Sequence, residues 1–355
     1  MITSTWPMPG VASTTHFIQR QATFLKAAGV DLDVYHFRGR GRPWRYPSAW
    51  LGARRRLIRE RYDLVHAQFG QSGLVALPKR VPLVVTFRGS DLLGIVRDED
   101  GRRTIPGRML QQASRLVARQ ADAVVVVSEH MKASLPAGVE ATVIPSGVDL
   151  SLFRPLPRDE ARRRLGLPAD KALILFAGRP SQARKRFQLA TEAVEVLRRR
   201  MPAELIVAWG IPHHDVPWYM NAADAMVFTS MQEGSPNVVK EALACDLPVV
   251  SVKVGDVPER LAGIEGCVLC ADEQPETIAA GLRQVLERGG RVNGRVAVQA
   301  LDENLQTARL IELYRSVLRR CGRQASVLSR RAVPTSLDVS PSSPRPPHSR
   351  PPDPW

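Results

Sequence analysis

The chain has 355 residues, 44% of them hydrophobic, which is enough for two domains of ordinary size that each bury a core. Its formal net charge is +15, nearly all from arginine, which favours anionic partners. The sequence contains no signal-peptide pattern and no apolar run of about 18 residues, so we expect a cytoplasmic protein without a membrane-spanning segment.

The first half of the chain alternates strand patterns with helix patterns. Short apolar runs predict strands, and apolar residues three or four positions apart predict helices. The predicted strands cover residues 1–5, 32–36, 63–67, 81–87 and 123–127, and the predicted helices cover residues 15–28, 49–61 and 108–120. This alternation predicts a doubly wound parallel sheet, which we expect to occupy residues 1–153.

An arginine-rich segment lies between the second and third predicted strands. It holds nine arginines, from Arg38 to Arg61, against one glutamate. The segment is either a solvated helix face and loop, or a surface for an anionic partner. Such a partner would be the phospholipid headgroups at the inner face of the cell membrane or a pyrophosphate-linked acceptor. No nucleic-acid reader motif is recognised, so nucleic acid is not an expected partner.

The fourth predicted strand ends with Arg88 and, three residues later, Asp91. Open α/β sheets bind their ligands at this carboxyl end of the strands. The guanidinium of Arg88 can donate to a sugar hydroxyl or attract a charged acceptor, but it stays protonated and cannot act as a base. Asp91 is either an acceptor-side carboxylate or a helix cap.

The second half of the chain repeats the alternation. Predicted strands cover residues 172–177, 204–209, 225–229, 247–254 and 266–271, and predicted helices cover residues 187–200, 236–245, 275–287 and 301–319. A second parallel-sheet domain is therefore expected over residues 154–300. Cys267 and Cys270 form a CxxC pair without a second pair, which favours buried thiols over a zinc or redox site. Residues 323–355 are rich in Pro, Arg and Ser and are expected to be disordered.

The start of the predicted helix at residue 236 has the features of an anion site. Ser235 is a good N-cap, and Pro236 is a good first helical residue because its missing N–H would be unpaired there. Helix N-termini favour anionic ligands, since their first amides have no partner in the helix. The amides in question are those of Asn237, Val238 and Val239.

Two carboxylates flank this anion site. Glu233 precedes the cap on the strand-to-helix turn. Glu241 lies further along the helix, roughly 5 Å from the free amides. A phosphate and its attached ribose could therefore be bound together. An isolated pair at this spacing would more often be a solvated turn residue and a surface helix residue.

The segment EGSPNVVKEALACDLPVV followed by VGDVPE resembles the donor-site signature of the family-4 retaining glycosyltransferases of the GT-B fold. Residues 143–149 resemble that family's Pro-Asn-Gly-Val-Asp turn between domains, with Ser146 in place of Asn. The resemblance implies two Rossmann-like domains facing a cleft, the first on the acceptor side and the second binding the nucleotide sugar. It also implies that the final helix, residues 301–320, crosses back to the first domain.

The resemblance assigns a role to each site residue. Glu233 would lie beside the transferred sugar, and Glu241 would hold the ribose. Arg179 and Lys185 would bind the donor diphosphate, whose growing negative charge needs cations when no metal is present. Further donor contacts would come from Gly234, Ser235, Asn237, Val238 and Gly10, the last being the single glycine of a loop in which relatives often carry a pair.

The sequence fits the family pattern less simply at two places, around Lys185 and at Arg88. Arg184 and Arg186 flank Lys185. The sequence therefore does not decide whether Lys185 or one of these two neighbours binds the diphosphate. Arg88 stands where many family members have a histidine facing the reacting sugar, which argues against a general base there. The resemblance implies that the donor's own phosphate oxygen serves as the base. The reaction then needs no base at position 88, and Arg88 stays among the predicted catalytic residues.

The sequence thus predicts a metal-independent, retaining glycosyltransferase of the EC 2.4 class that needs no cofactor. It would move a sugar from a UDP- or GDP-sugar to a glycan, a lipid-linked acceptor or a small molecule. Two alternatives stay open on the sequence alone: a nucleotide-sugar- or glycan-binding protein without activity, and a donor-only enzyme such as a nucleotide-sugar epimerase. The first would bind the donor without transfer, and the second would form product without an acceptor.

Overall fold

The computed structural model describes residues 1–7, 16–39, 41–96 and 102–322. The described chain forms two α/β domains, each built on a parallel sheet. The predictions made for Gly10 and for residues 323–355 lie outside the described residues.

The first domain contains a six-stranded sheet in the order β2-β1-β3-β4-β5-β6, with every pair parallel. Its strands are β1 (Ile2–Thr3), β2 (Tyr35–His36), β3 (Val65–Gln68), β4 (Leu83–Phe87), β5 (Ala123–Val126) and β6 (Thr142–Val143). Its helices are α1 (His16–Ala27), α2 (Tyr46–Arg59), α3 (Gly70–Ala76), α4 (Ser90–Leu93) and α5 (Ile105–Gln120). All residues of β3 and β4 are buried, as expected for central strands covered on both faces.

The second domain contains a five-stranded sheet in the order β11-β10-β9-β7-β8, again with parallel pairs. Its strands are β7 (Ala172–Phe176), β8 (Ala203–Val207), β9 (Ala225–Phe228), β10 (Val249–Ser251) and β11 (Val268–Leu269). Its helices are α6 (Arg158–Leu165), α7 (Phe187–Arg198), α8 (Val216–Ala222), α9 (Asn237–Ala244), α10 (Val257–Leu261), α11 (Pro275–Arg288) and α12 (Gly294–Val298). Both parallel sheets were predicted from the alternation of patterns, although several strands are shorter than the predicted runs.

The last helix, α13 (Glu303–Arg320), packs against the first domain. Its buried Leu310 and Val317 belong to one apolar cluster with Leu25 of α1 and Val84 of β4. Tyr314 adds a polar contact, because its hydroxyl lies 2.6 Å from Nδ1 of the buried His66 on β3. The chain therefore returns to the first domain after completing the second.

A short helix in the first domain was not predicted. The sequence of α3, GQSGLVA, contains two glycines and a serine, which are weak helix formers. The close packing of α3 on α5 explains these residues, because a Cβ at Gly73 would lie 2.4 Å from a methyl carbon of Val117. Tertiary packing, and not helix propensity, stabilises this element.

The carboxyl ends of both sheets open onto one cleft of about 730 Å³ between the domains. Its walls include Arg88 after β4, Arg179 after β7 and Glu233 after β9. This is the edge at which open parallel sheets bind ligands.

Candidate active site

Glu233 lies between two cationic side chains from the turn before α7. Its Oε1 atom is 2.6 Å from Lys185 Nζ and 2.8 Å from Arg184 Nη1. The side chains of Glu233 and Lys185 are only 12% and 13% exposed. Burial by itself would raise the pKa of Glu233, but Lys185 and Arg184 outweigh it and hold the pKa below its usual range. The carboxylate is therefore charged, and it holds both cations at the second-domain wall of the cleft.

The structure separates the three consecutive basic residues of that turn. Arg186 has a left-handed backbone and donates away from Glu233, to the Thr229 carbonyl oxygen at 2.6 Å and to Glu273. Arg184 also donates to the Gln232 carbonyl oxygen at 2.9 Å. Arg186 thus stabilises the loop, while Lys185 and Arg184 line the cleft.

Arg179 lines the same cleft but is exposed and makes no contact with Glu233 in the described structure. Its Nε donates to Ser181 Oγ at 2.8 Å, and its guanidinium carbon lies 6.0 Å from the centre of the Trp209 ring. Arg179, Lys185 and Glu233, which the sequence predicted to contact the donor, thus border one cavity. Arg179 lies at its exposed, outer part.

The predicted N-cap at Ser235 is wrong. Helix α9 begins at Asn237 with Pro236 at the cap position, and no side chain caps it. Ser235 Oγ instead donates to Asp256 Oδ2 at 2.8 Å, because the turn before the helix bends the serine toward α10. The first amides of α9 still border the cleft through Asn237 and Val238. Asn237 Oδ1 is buried and has no hydrogen-bond partner among the described residues.

Glu241 lines the cleft one turn further along α9, where the sequence predicted a ribose contact. Its carboxylate is 3.5 Å from Arg20 Nη1, and Arg20 also donates to Glu303 at 2.7 Å and to the Gly147 carbonyl oxygen at 2.5 Å. Arg20 on α1 therefore joins the first domain to both α9 and α13. Nothing in the local sequence of α1 distinguishes this arginine from an exposed one.

Lys240, which sequence analysis passed over, is completely buried beside Glu241. Its Nζ donates to the Ser146 carbonyl oxygen at 2.8 Å, on the segment that joins the domains. A signal was present, because Lys240 falls in a helix, NVVKEALA, that is otherwise mostly apolar. Burial lowers the pKa of Lys240 to about 7.

Lys240→Met should change how stability depends on pH. The folded pKa lies below the ordinary value of 10.5, so the unfolded chain binds more protons between pH 7 and 10. The free energy of unfolding of the wild type should therefore rise relative to that of Lys240→Met across this range, by at most about 1.4 kcal/mol per pH unit. Denaturant unfolding at several pH values measures the difference; a difference that stays constant would contradict the buried, proton-losing lysine.

Gly234 brings the donor loop against the backbone of the first domain. A Cβ at Gly234 would lie 2.5 Å from the Arg88 carbonyl oxygen and 3.1 Å from Met131 Sδ. The Gly234 carbonyl oxygen accepts a hydrogen bond from Ser128 Oγ at 2.9 Å. The sequence predicted a donor contact for this glycine, and the structure adds an interdomain contact that only glycine allows.

Arg88 borders the cleft from the opposite, first-domain wall. Its guanidinium donates to Gln68 Oε1 at 2.6 and 2.9 Å, to Ser146 Oγ at 2.6 Å and to Gln21 Oε1 at 3.1 Å. The ring of Phe17 lies under it, 4.7 Å from the guanidinium carbon. Burial lowers the pKa of Arg88 to about 10, so the group remains charged at neutral pH.

Asp91 organises the turn that carries Arg88. Its carboxylate accepts hydrogen bonds from the backbone amides of Gly70, Arg88 and Gly89 at 2.9 to 3.0 Å. Burial raises the pKa of Asp91 even though these amides act in the opposite direction. Of the two interpretations open for Asp91, these contacts favour the one that fixes the start of a helix.

Residues 1–7, 16–39, 41–96 and 102–322 contain neither a metal-binding cluster nor a membrane-spanning helix. Within those ranges no group of three or more His, Cys, Asp or Glu side chains lies together in a way that could hold a metal ion. No described helix combines the length and the apolar character needed to cross a membrane.

Two family models match the sequence. The model for Glycosyltransferase Family 4 covers residues 13–152, and the model for Glycosyl transferases group 1 covers residues 207–288. The two domains are thus matched separately.

Individual proteins with similar sequences are also named as glycosyltransferases. A Bacillus subtilis protein named for teichuronic acid biosynthesis, the glycosyltransferase TuaC, is 32% identical over 55% of this chain and 54% of its own length. D-inositol 3-phosphate glycosyltransferase 1 of Catenulispora acidiphila is 31% identical over 72% of this chain and 73% of its own length. The chain therefore spans about half of the first relative and about three quarters of the second.

Solved structures share the fold. Sucrose-phosphate synthase from Thermosynechococcus elongatus has a TM-score of 0.71 at 19% identity, over 87% of this chain and 94% of that one. HepE of Anabaena, solved in complex with UDP, has a TM-score of 0.56 at 19% identity, over 80% of this chain and 86% of that one. These likenesses agree with two parallel-sheet domains that face a common cleft.

Proposed function

This chain belongs to glycosyltransferase family 4 and has the GT-B fold, and from that premise we propose that it transfers a sugar from a UDP- or GDP-sugar to an acceptor hydroxyl with retention at the anomeric carbon. Membership of the family makes it a transferase of the EC 2.4 class. The acceptor is a glycan, a lipid-linked molecule or a small molecule. Neither a metal nor another cofactor takes part in the proposed reaction.

One observation carries the proposal: two cations meet one carboxylate beside a helix N-terminus in the interdomain cleft. A departing nucleoside diphosphate gains negative charge as the sugar–phosphate bond breaks. Cations and amides fixed in advance stabilise that charge without reorganisation during the reaction. Lys185 and Arg184 would bind the diphosphate together with the amides at the start of α9, and Arg179 would meet it from the outer part of the cleft.

The two glutamates would hold the sugars on either side of the diphosphate. Once the diphosphate takes over the cations, Glu233 can accept hydrogen bonds from hydroxyls of the transferred sugar. Glu241 would hold the ribose, as the family signature implies. The solved HepE structures contain UDP and, in one case, UDP-glucose, which supports a nucleotide sugar as the donor.

The proposed reaction is balanced without an additional reactant. The acceptor oxygen forms a bond to the anomeric carbon on the face from which the diphosphate leaves. The bond between that carbon and the phosphate oxygen breaks, and the hydroxyl proton passes to the same phosphate oxygen. Arg88 cannot take this proton because its guanidinium remains protonated.

Incubation with a panel of UDP- and GDP-sugars, with and without a mixture of acceptors, tests the proposal. We expect nucleoside diphosphate release that depends on an acceptor, and a product whose anomeric proton coupling in NMR matches that of the donor. Product formed without an acceptor would indicate a donor-only enzyme. Binding without any turnover would indicate a binding protein, and an inverted product would overturn retention.

The arginine-rich segment is proposed to contact an anionic membrane surface. Trp44, just before α2, and Ile58 on α2 are 69% and 64% exposed, and Arg55 and Arg59 on α2 are exposed as well. Exposed apolar side chains among cations are typical of helices that lie on anionic membranes. Other arginines of the segment have structural partners: Arg54 donates to the Pro78 carbonyl oxygen, and Arg56 pairs with Asp33.

Sedimentation with phosphatidylglycerol vesicles tests this contact. We expect salt-sensitive binding that falls at least about fivefold when Arg55 and Arg59 are both replaced by Glu, since each basic residue near the surface adds about 1 kcal/mol. Replacing Arg199 and Arg200 by Glu makes the same charge change on the second domain and serves as the control. Equal loss in both variants, or no binding by the wild type, would rule the membrane contact out.

A further inference from the structure

We propose that Arg88, Thr5 and Gln71 form an acceptor subsite that recognises a hydroxylated acceptor carrying an anionic group, a phosphate or a carboxylate. The proposal rests on the proposed function, because it assumes that the second-domain wall of the cleft is occupied by the donor. It goes further by giving the chemical class of the acceptor and the residue that meets its charge.

The first observation is that every side chain holding the Arg88 guanidinium is neutral. Two glutamine oxygens and one serine hydroxyl accept four of its hydrogen bonds, and an aromatic ring lies beneath it. The neighbouring Asp91 carboxylate does not reach the guanidinium, since it is engaged by three backbone amides. The guanidinium is fixed in position, and no carboxylate of the described residues lies within ion-pair distance of it, although Glu303 and Asp91 act on its charge from further away.

Two arginines with largely buried side chains, one at the domain junction and one in the second domain, form ion pairs instead. Arg20 contacts both Glu241 and Glu303, and Arg162 contacts Asp224 at 2.6 Å. A cation removed from water is normally compensated in this way, because an unpaired buried charge is costly. Arg88 borders a cavity instead, so a ligand can supply the anion.

The second observation is the position of Arg88 relative to the donor cations. Lys185, Arg184 and Arg179 lie on the second-domain wall, where the diphosphate is proposed to bind. Of the described residues that line the first-domain wall, Arg88 is the one with a permanent positive charge. The donor's charge is met on its own side of the cleft, which leaves Arg88 for an anion that arrives with the acceptor.

The third observation concerns two polar atoms of first-domain residues that line the same cleft as Arg88. Thr5 Oγ1 and Gln71 Oε1 are buried, border the cleft and have no hydrogen-bond partner within the described part of the chain. Buried polar atoms are normally paired, so such atoms at a cleft wall indicate groups that a ligand satisfies. A hydroxyl and an amide oxygen suit the hydroxyls of a sugar or polyol.

Arginine also suits this task chemically. Four of the five N–H donors of this guanidinium are used by Gln68, Ser146 and Gln21, and the remaining N–H on Nη1 can donate to an oxygen of a phosphate or carboxylate that the positive charge attracts. A histidine at this position would be largely neutral at pH 7 and could not supply a permanent charge.

The test uses the full chain and begins with its nucleotide. Calorimetry first identifies whether UDP or GDP binds, and the protein is then saturated with that nucleotide so that the donor cations are occupied. Glycerol 3-phosphate is titrated as a soluble phosphate, dihexanoyl phosphatidic acid below its micelle concentration as a lipid phosphate, acetate as a carboxylate, and glycerol as the neutral control. The arms separate a soluble, a lipid-borne and a carboxylate source of the anion.

We expect at least one anionic probe to bind and glycerol not to bind. Arg88→Gln should weaken that binding by at least about tenfold, the size expected for losing hydrogen bonds to a charged group. Arg88→Lys should recover part of it, and Arg108→Gln, which removes an exposed charge on α5, should leave it unchanged. If Arg88→Gln does not fold, the Nε–H resonance of Arg88 in the wild type, assigned from the Arg88→Lys spectrum, should shift when the anion is added.

Two results would overturn the subsite. One is equal affinity of the wild type and Arg88→Gln for every anion, and the other is the absence of anion binding and of any Arg88 shift in the nucleotide-saturated protein. Failure of the first step, in which neither UDP nor GDP binds, would instead count against the proposed function. Loss of donor affinity alone in Arg88→Gln would place Arg88 at the transferred sugar and would also overturn the proposal.

Discussion

Lys185→Ala is expected to lower turnover by roughly two to three orders of magnitude, the usual effect of removing one preorganised donor at a site of developing charge. Lys185 Nζ lies 2.6 Å from Glu233 Oε1 and 5.3 Å from the centre of the Phe228 ring, so its position is fixed before any ligand arrives. Steady-state rates with the preferred nucleotide sugar measure the effect.

Lys171→Ala provides the matched control, because Lys171 is an exposed lysine of the same domain whose ammonium group lies 3.4 Å from Glu204 and does not line the cleft. It should retain nearly full turnover. If Lys185→Ala keeps turnover within about threefold of the wild type, the developing charge is not stabilised mainly by Lys185. Arg184→Ala would then be the next variant to measure, since Arg184 shares the same carboxylate.

Gly234→Ala should lower turnover by about two orders of magnitude, because misplacing reacting groups by about 1 Å has effects of this size. The added Cβ would meet the Arg88 carbonyl oxygen at 2.5 Å, and neither backbone can yield without moving one domain relative to the other. The donor wall and the acceptor wall would then be held apart. Steady-state rates and small-angle X-ray scattering measure the two consequences.

The binding of nucleoside diphosphate provides an internal control for this variant. The three atoms nearest to the added Cβ belong to Arg88 and Met131, and none belongs to Lys185, Arg184 or α9, which are proposed to bind the diphosphate. Gly234→Ala should therefore bind UDP or GDP within a few fold of the wild type while the scattering shows a more open molecule. Turnover close to the wild-type rate would show that contact between Gly234 and Arg88 is not needed for the reaction. Loss of nucleotide binding together with turnover would point to a distorted donor loop instead.

The sequence predicted the architecture well, because parallel strands covered on both faces give continuous apolar runs. The run at β9 and the runs at β4 and β7 were placed within a few residues. The spacing of Glu233 and Glu241 around a helix start also placed both residues at one cleft. Such patterns are local, so they can be read without knowing what lies across the cleft.

Contacts that cross between the domains were not predictable in the same way. Arg20 meets Glu303, a residue 283 positions away in sequence, and Lys240 meets Ser146 at a separation of 94. Ser235 was misassigned as a cap because its actual acceptor, Asp256, lies 21 residues away at the start of the next helix. Each of these residues has an ordinary local sequence, and only the folded arrangement selects its partner.

Calorimetric titration of UDP and of GDP, in buffer containing EDTA, tests the central claim most directly. The cation pair at Glu233 and the amides of α9 predict that one of these nucleotides binds without a divalent metal, and that Lys185→Ala weakens the binding at least about tenfold. Absence of binding by both nucleotides would contradict the proposal. So would binding that appears only when Mg²⁺ is added in excess of the chelator.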